Sequence, residues 1–231
     1  MKIHGLNKTT LLDYPEHVAA TIFTGACNFR CPFCQNSGLV LQPELEPEID
    51  QDKLFSFLKK RYGILSGVCI TGGEPTLQQD LEPFIRRIRT IGYQVKLDTN
   101  GYRPEIVNQL IQEKLLDYVA MDIKSSPENY AIACGLNSIN IQKIKETVSI
   151  LINGTLPYEF RTTVVKGLHT ETDFYEIAEW LEGSSSYYLQ AYRDSEQVLC
   201  PGYSSFSSIE MKHFLSIVTP KIPNAKLRGI E

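Results

Sequence analysis

The chain contains no apolar run near the length of about 20 residues needed to cross a bilayer, and its opening Met1-Lys2-Ile3-His4-Gly5 lacks the apolar stretch of an export signal. A soluble, cytoplasmic protein is expected. Positive charge is not in excess either. Lys and Arg number 23 against 27 Asp and Glu, for a net charge of −4. That balance offers no general attraction to nucleic acid or to an anionic membrane. The basic run Arg86-Arg87-Ile88-Arg89 falls on a helical pattern and reads as a solvated face. No repeat, low-complexity tract or linker interrupts the sequence. With 231 residues, 42% of them hydrophobic, the chain can bury one sizeable core. A single domain over residues 1–231 is expected, with a core at about 17–195 and a C-terminal extension at about 196–231. The most telling absence is a ligand. Cys27, Cys31 and Cys34 form a C-x3-C-x2-C stretch, and no fourth cysteine or histidine follows nearby.

A structural zinc site needs four closed ligands. A cubane iron–sulfur cluster has four irons, each normally held by a thiolate. Three thiolates therefore leave one iron open to a substrate or cofactor, which is what reactive metal chemistry requires. Without an export signal the six cysteines should stay reduced, and clustered ones are better read as ligands than as disulfides. Cys69 lies in an apolar run and reads as core packing, while Cys134 and Cys200 stand far off in sequence.

Short apolar runs alternate with amphipathic segments. Strands are expected at 18–24, 68–71, 94–98, 116–122, 158–164 and 186–191, with a short one near 225–228. Helices are expected at 51–62 (Asp50 as N-cap, Gly63 past the end), over the apolar spacing Leu77 to Ile88 closed by Gly92, from Pro104, around Ile144 to Leu151, around Phe174 to Leu181, and near 207–217. Gln42–Asp50 reads as a surface loop. Alternating strands and helices imply parallel βαβ units. Six such units fall short of a closed barrel, so the expected fold is α/β, a partial (βα)6 TIM-like barrel of parallel strands.

Ligands in such folds bind beyond the carboxyl ends of the strands, and unusual residues gather there. The cysteine loop follows the first strand, Gly72-Gly73-Glu74-Pro75 the second and Asp98-Thr99-Asn100-Gly101 the third. Asp122-Ile123-Lys124 closes the fourth, Arg161 lies in the fifth and Gln190 in the sixth. Singly, GGEP or DTNG is most often a tight turn, and Asp122 with Lys124 a surface ion pair. A guanidinium in an apolar strand, in contrast, needs a partner. Their convergence on one rim, in register with the cysteine loop, argues for a site.

These motifs in this order resemble the radical S-adenosylmethionine (SAM) superfamily through almost the whole chain. Asp13-Tyr14-Pro15, Phe23-Thr24-Gly25-Ala26-Cys27, Leu97 to Gly101 and Met121 to Lys124 are similar, more narrowly, to the glycyl-radical-enzyme activases. Within that group the likeness is greatest to activators of anaerobic ribonucleoside-triphosphate reductase. The resemblance implies that Cys27, Cys31 and Cys34 hold a [4Fe–4S] cluster whose fourth iron binds the methionine part of SAM. It implies that Gly72, Gly73 and Glu74 receive the SAM amino group and that Phe33 meets the adenine through its backbone. It also implies that Asp98, Thr99, Asp122 and Lys124 help hold the carboxylate, partly through a monovalent cation, with Arg161 at the ribose or carboxylate and Gln190 nearby. The implied chemistry is reductive cleavage of SAM to a radical that takes a hydrogen atom from a glycine of a partner glycyl radical enzyme. Flavodoxin or ferredoxin is the implied electron donor. Two positions depart from the group's usual pattern: Gln35 where histidine is common, and Glu16 where glycine is. No cysteine lies between Cys34 and Cys69, so a ferredoxin-like insertion there is excluded. Competing readings are a radical SAM enzyme acting on a small molecule (the deazaguanine-forming type), an activase of another enzyme such as formate lyase, and a non-catalytic zinc or electron-transfer module.

Overall fold

Apolar strands alternating with helices lay down one sheet in chain order. The computed structural model describes residues 1–230. Its strands are β1 (Ile3–Thr10), β2 (Ala19–Thr24), β3 (Gly67–Gly72), β4 (Gln94–Thr99), β5 (Tyr118–Asp122), β6 (Tyr158–Val164), β7 (Tyr187–Ala191) and β8 (Lys226–Arg228). They follow the order β1 to β8 across the sheet. β1 runs antiparallel to β2; every later pair is parallel. β1 and β8 do not pair with each other, so the sheet curves without closing. This is the expected partial barrel, with one antiparallel strand added at its N-terminal edge.

The helices are α1 (Ser37–Leu41), α2 (Gln51–Arg61), α3 (Leu81–Ile91), α4 (Pro104–Gln112), α5 (Tyr130–Ala133), α6 (Ile141–Asn153), α7 (Glu171–Trp180) and α8 (Ser208–Val218). The expected caps form. The Asp50 carboxylate accepts the Lys53 N–H at 2.9 Å, Pro104 opens α4 and Gly92 ends α3 at φ 108°. Leu77 falls outside α3, because Pro75–Leu77 forms its own 3-10 turn beneath Glu74. β1, α1 and α5 were not expected. β1 alternates weakly and carries polar residues on an exposed edge, while α1 and α5 are too short to show a period.

Side chains of β2 to β7 and the inward faces of α2 to α8 form one apolar core, including Ile22, Ile70, Leu97, Val119, Phe160 and Leu189. The motif Asp13-Tyr14-Pro15 sits away from the cysteine loop. Tyr14 packs at the first residue of β3, Gly67, and 6.0 Å from the ring of Tyr118, the first residue of β5. It therefore supports the N-terminal end of the barrel. Glu16 in the same turn adopts a left-handed φ of 65°, a conformation that favours glycine.

Candidate active site

Each parallel strand delivers its last residues to one rim, and the loops after β2, β3 and β4 are stitched together there. The Gly73 N–H donates to Thr24 O at 2.9 Å and the Glu74 N–H to Ala26 O at 2.8 Å. A Cβ at Gly73 would lie 1.9 Å from Ala26 O, so only glycine lets the cysteine loop approach this closely. From the other side the Asn36 amide donates to Gly72 O at 3.2 Å, and the Asn100 amide to Asn28 Oδ1 at 2.8 Å. The loop holding the three thiols is thus fixed by three strand ends.

Glu74 is the exception among the expected contact residues. It is fully buried, and its carboxylate faces inward rather than into the cleft. Oε1 accepts the Thr76 N–H (3.0 Å), the Thr76 hydroxyl (2.5 Å) and the Thr99 hydroxyl (2.8 Å). Oε2 accepts the Asn100 N–H at 2.7 Å. Glu74 therefore ties the end of β3 to the end of β4. Burial raises its carboxyl from the ordinary range against these four hydrogen bonds.

The remaining expected residues line one cleft of about 370 Å³: Cys27, Cys31, Cys34, Phe33, Gly72, Gly73, Asp98, Thr99, Asp122, Lys124, Arg161 and Gln190. That volume lies in the usual range for small-molecule sites. Behind it runs a row of alternating charges. Lys96 Nζ meets Asp98 Oδ1 at 2.5 Å, Arg161 meets Asp98 Oδ2 at 3.2 Å and Asp122 Oδ1 at 2.9 Å, and Lys124 Nζ meets Asp122 Oδ2 at 3.0 Å. Three cations against two carboxylates leave a surplus of one positive charge, suited to one carboxylate of a ligand. Burial alone would raise Asp122, but Arg161 and Lys124 outweigh it and hold the carboxyl below its ordinary range. Burial alone would lower Lys124; Asp122 and Cys31 reverse that. Both groups are charged near neutrality.

Several contributors went unnoticed in the sequence. Asn36, Thr163 and Arg193 also line the cleft, together with Asn100 of the DTNG motif and Gln35 beside the third cysteine. Lys96 and Glu159 are buried, at 1% and 2% exposure. Their signal was present, since Lys96 alternates with Asp98, and Glu159 with Arg161, at the two-residue period that points side chains to one face of a strand. Gln190 does not stand free: its Oε1 accepts from Arg228 at 3.2 Å, and Arg228 also forks onto Glu159 at 3.2 and 3.1 Å. His169 is buried, accepts the Val165 N–H at 3.0 Å and lies 2.8 Å from Lys124 O. That network assigns its proton to Nε2, and burial lowers its pKa, so a neutral imidazole donates to the backbone of Lys124.

The donor set fits an iron–sulfur cluster. Three soft thiols face the cleft with no oxygen ligand among them. The Phe29 N–H donates to Cys27 Sγ at 3.4 Å, a contact that stabilises a thiolate. Burial pushes the unligated Cys27 thiol up to about 12, so ligation must displace that proton.

The family model of the radical SAM superfamily matches residues 21–181. The chain belongs to the radical SAM superfamily. Radical SAM enzymes use a [4Fe–4S] cluster and SAM. The chain is 31% identical over 198 residues to a Methanocaldococcus jannaschii protein whose name assigns it to glycyl-radical enzyme activation, covering 84% of this chain and 81% of that one. It is 30% identical over 162 residues to a Thermococcus kodakarensis protein named as a GTP 3',8-cyclase, covering 68% of this chain but only 50% of the relative. Among solved structures, SuiB of Streptococcus suis bound to S-adenosylmethionine superposes with a TM-score of 0.70 at 13% identity, covering 89% of this chain and 49% of SuiB. TYW1 with a lysine-pyruvate adduct gives 0.60 at 15% identity, covering 88% and 74%. These likenesses show the radical SAM fold, a partial TIM barrel. Among the described residues no helix is long and apolar enough to cross a membrane.

Proposed function

We propose that this radical SAM protein is a glycyl-radical-enzyme activase, with anaerobic ribonucleoside-triphosphate reductase as its partner. The observation that carries this reading is the match to the Methanocaldococcus jannaschii protein, which spans 84% of this chain and 81% of that one. The geometry is consistent with it. The strand order leaves the two edge strands, β1 and β8, unpaired with each other, and an open side suits a site that must admit a segment of another protein.

Cys27, Cys31 and Cys34 would hold the cluster. When bound, the cluster and SAM supply the one-electron sulfonium cleavage and the hydrogen-abstracting radical. The chain's own residues bind, orient and exclude water. Gly72 and Gly73 present main chain beside the thiol loop. Asp98, Thr99, Asp122 and Lys124 would receive the charged ends of SAM's methionine part, with or without a monovalent cation, and Arg161 fixes both carboxylates in place. Phe33 is buried at the cleft wall, its ring 5.9 Å from Lys124 Nζ, and would meet the adenine. Gln190 closes the wall toward β8. A flavodoxin or ferredoxin would deliver the electron.

Anaerobic reconstitution followed by SAM cleavage with and without candidate partners tests this reading. The expected result is 5'-deoxyadenosine release together with a glycyl radical signal by electron paramagnetic resonance on the reductase. No signal on any glycyl radical enzyme encoded in the same genome overturns it. The relatives named as GTP 3',8-cyclases favour a second reading, a radical SAM enzyme of a small molecule, although the Thermococcus kodakarensis protein is half covered. Release of 5'-deoxyadenosine driven by a nucleotide without any partner protein would support that reading.

A further inference from the structure

Glu74, turned inward at the end of β3, holds more than the end of β4. Its Oε2 accepts the Asn100 N–H at 2.7 Å, and Asn100 Oδ1 in turn accepts the Tyr102 N–H at 3.0 Å. The second bond assigns oxygen and nitrogen in the Asn100 side chain, so Nδ2 is the atom that faces the thiol loop. It donates to Asn28 Oδ1 at 2.8 Å and stands 3.9 Å from Cys27 Sγ. By accepting that bond, Asn28 Oδ1 fixes the Asn28 amide as well. Asn28 Oδ1 lies 4.0 Å from Cys27 Sγ, which sets the whole amide beside this sulfur. Asn28 Nδ2 is nevertheless buried with no acceptor among the described residues. A buried amide donor without an acceptor is rare in a folded protein and asks for an explanation. On the main-chain side, the Phe29 N–H reaches the same sulfur at 3.4 Å. Nitrogen donors thus gather around Cys27 from two strand ends, and one of them is unused.

We propose that Asn28 and Asn100 are positioning residues that set the reduction potential of the cluster: their amide hydrogens are held for sulfur at Cys27 and favour the reduced state. One added electron puts more negative charge on the thiolate and sulfide sulfurs, and N–H donors at those sulfurs stabilise that charge. A cluster sulfur is the acceptor that Asn28 Nδ2 lacks within the protein. Asn100 works in two ways. It faces Cys27 Sγ directly, and it keeps the Asn28 amide from turning its oxygen toward the cluster. Glu74 holds Asn100 from behind, which gives its inward carboxylate a task at the site. The cluster belongs to the superfamily as a whole, so this role holds whichever partner the chain serves.

Anaerobically reconstituted wild type, Asn28→Ala, Asn28→Ser and Asn100→Ala are compared without SAM and without a partner enzyme. Iron and sulfide content and circular dichroism establish cluster loading and folding. Titanium(III) citrate supplies the electron, and the reduced cluster is counted by electron paramagnetic resonance over a series of potentials. At a fixed potential the ratio of reduced to oxidised cluster should fall roughly tenfold in Asn28→Ala, or about 59 mV for a one-electron couple. Asn28→Ser keeps an O–H donor and should fall by less, and Asn100→Ala should shift in the same direction as Asn28→Ala. A ratio unchanged in Asn28→Ala overturns the proposal. An equal fall in Asn28→Ala and Asn28→Ser also overturns it, since that marks lost packing rather than a lost donor. Wild type isotopically labelled at its asparagine side-chain nitrogens gives a readout that no misfolded variant can spoil. Hyperfine coupling between such a nitrogen and the reduced cluster is expected, and its absence overturns the proposal. No glycyl radical enzyme enters these measurements, so failure here leaves the activase reading untouched, and failure of that reading leaves the potential shift.

Discussion

Asp122 and Glu74 are both carboxylates at strand ends, and their surroundings give them different work. Asp122 stands between two cations, Arg161 at 2.9 Å and Lys124 at 3.0 Å. Asp122→Asn keeps the shape but leaves those cations facing each other. SAM affinity should fall by roughly tenfold or more, equivalent to about 1.4 kcal/mol, while iron content after reconstitution stays near wild type. Equilibrium binding and iron analysis check the split. Glu74 receives only donors, four of them. Glu74→Gln must turn an N–H2 toward one of them, so a buried donor goes unsatisfied. A loss of about 1–3 kcal/mol in unfolding free energy is expected by denaturant titration. The contrast shows why sequence pattern placed Glu74 at the rim without showing which way its carboxylate turns. The GGEP motif fixes where the chain turns, but only tertiary contacts with Thr99 and Asn100 decide which way the carboxylate points.

At the scale of elements, the connection from β6 to α7 braces the end of β5. Asp173, in the first turn of α7, is buried. Oδ1 accepts from Ser125 Oγ (3.1 Å), Ser126 Oγ (2.6 Å) and Asn129 Nδ2 (2.9 Å). Oδ2 accepts the Thr170 N–H and hydroxyl, both at 2.8 Å. One side chain thus caps α7 and gathers the loop that carries Lys124 into place. Burial alone would raise this carboxyl, but the hydrogen bonds from Ser126, Asn129 and Thr170 hold it down at about 2. Because the folded value lies below that of the unfolded chain, the stabilisation is complete above about pH 4 and is lost as pH falls from 4 toward 2. Its size is about 1–2 kcal/mol. Asp173→Asn should lower stability by that amount at pH 7 and flatten the pH–stability curve between pH 5 and 2, measured by thermal melts. Element positions were legible because each strand and helix here is consistent with its own local pattern: β6 spans Tyr158–Val164 as the apolar run implied. The brace was not legible, because Asp173 looks like an ordinary first-turn acid until Ser125 and Ser126 arrive from 47 residues or more upstream.

The whole molecule is a barrel whose interior is polar where most cores are apolar, and its last strand finishes that interior. Arg228 on β8 reaches across β7 to fork onto Glu159 of β6, contacts Gln190, and lies 3.8 Å over the ring of Tyr188. Glu159 is 2% exposed and stands 3.8 Å from Arg161. The charge row at the cleft therefore extends from Lys124 on the rim to the open edge of the sheet. This long-range pairing was invisible in the sequence, where β8 is only a three-residue strand, although the two-residue period of β4 and β6 marked the inward positions. Arg228→Met removes the fork but keeps a side chain to cover Tyr188. Glu159 is then left with Arg161 and with Tyr118, whose hydroxyl lies 3.4 Å away, and the cost should approach about 3 kcal/mol, as for a broken buried pair. Adding Glu159→Gln removes the stranded charge. If the pair serves the charge balance of the barrel, the double variant recovers at least half of that loss, a coupling well above about 0.5 kcal/mol. Additive losses in a double-mutant cycle would instead mean that Arg228 acts through packing on Tyr188, and that the interior row ends at Arg161.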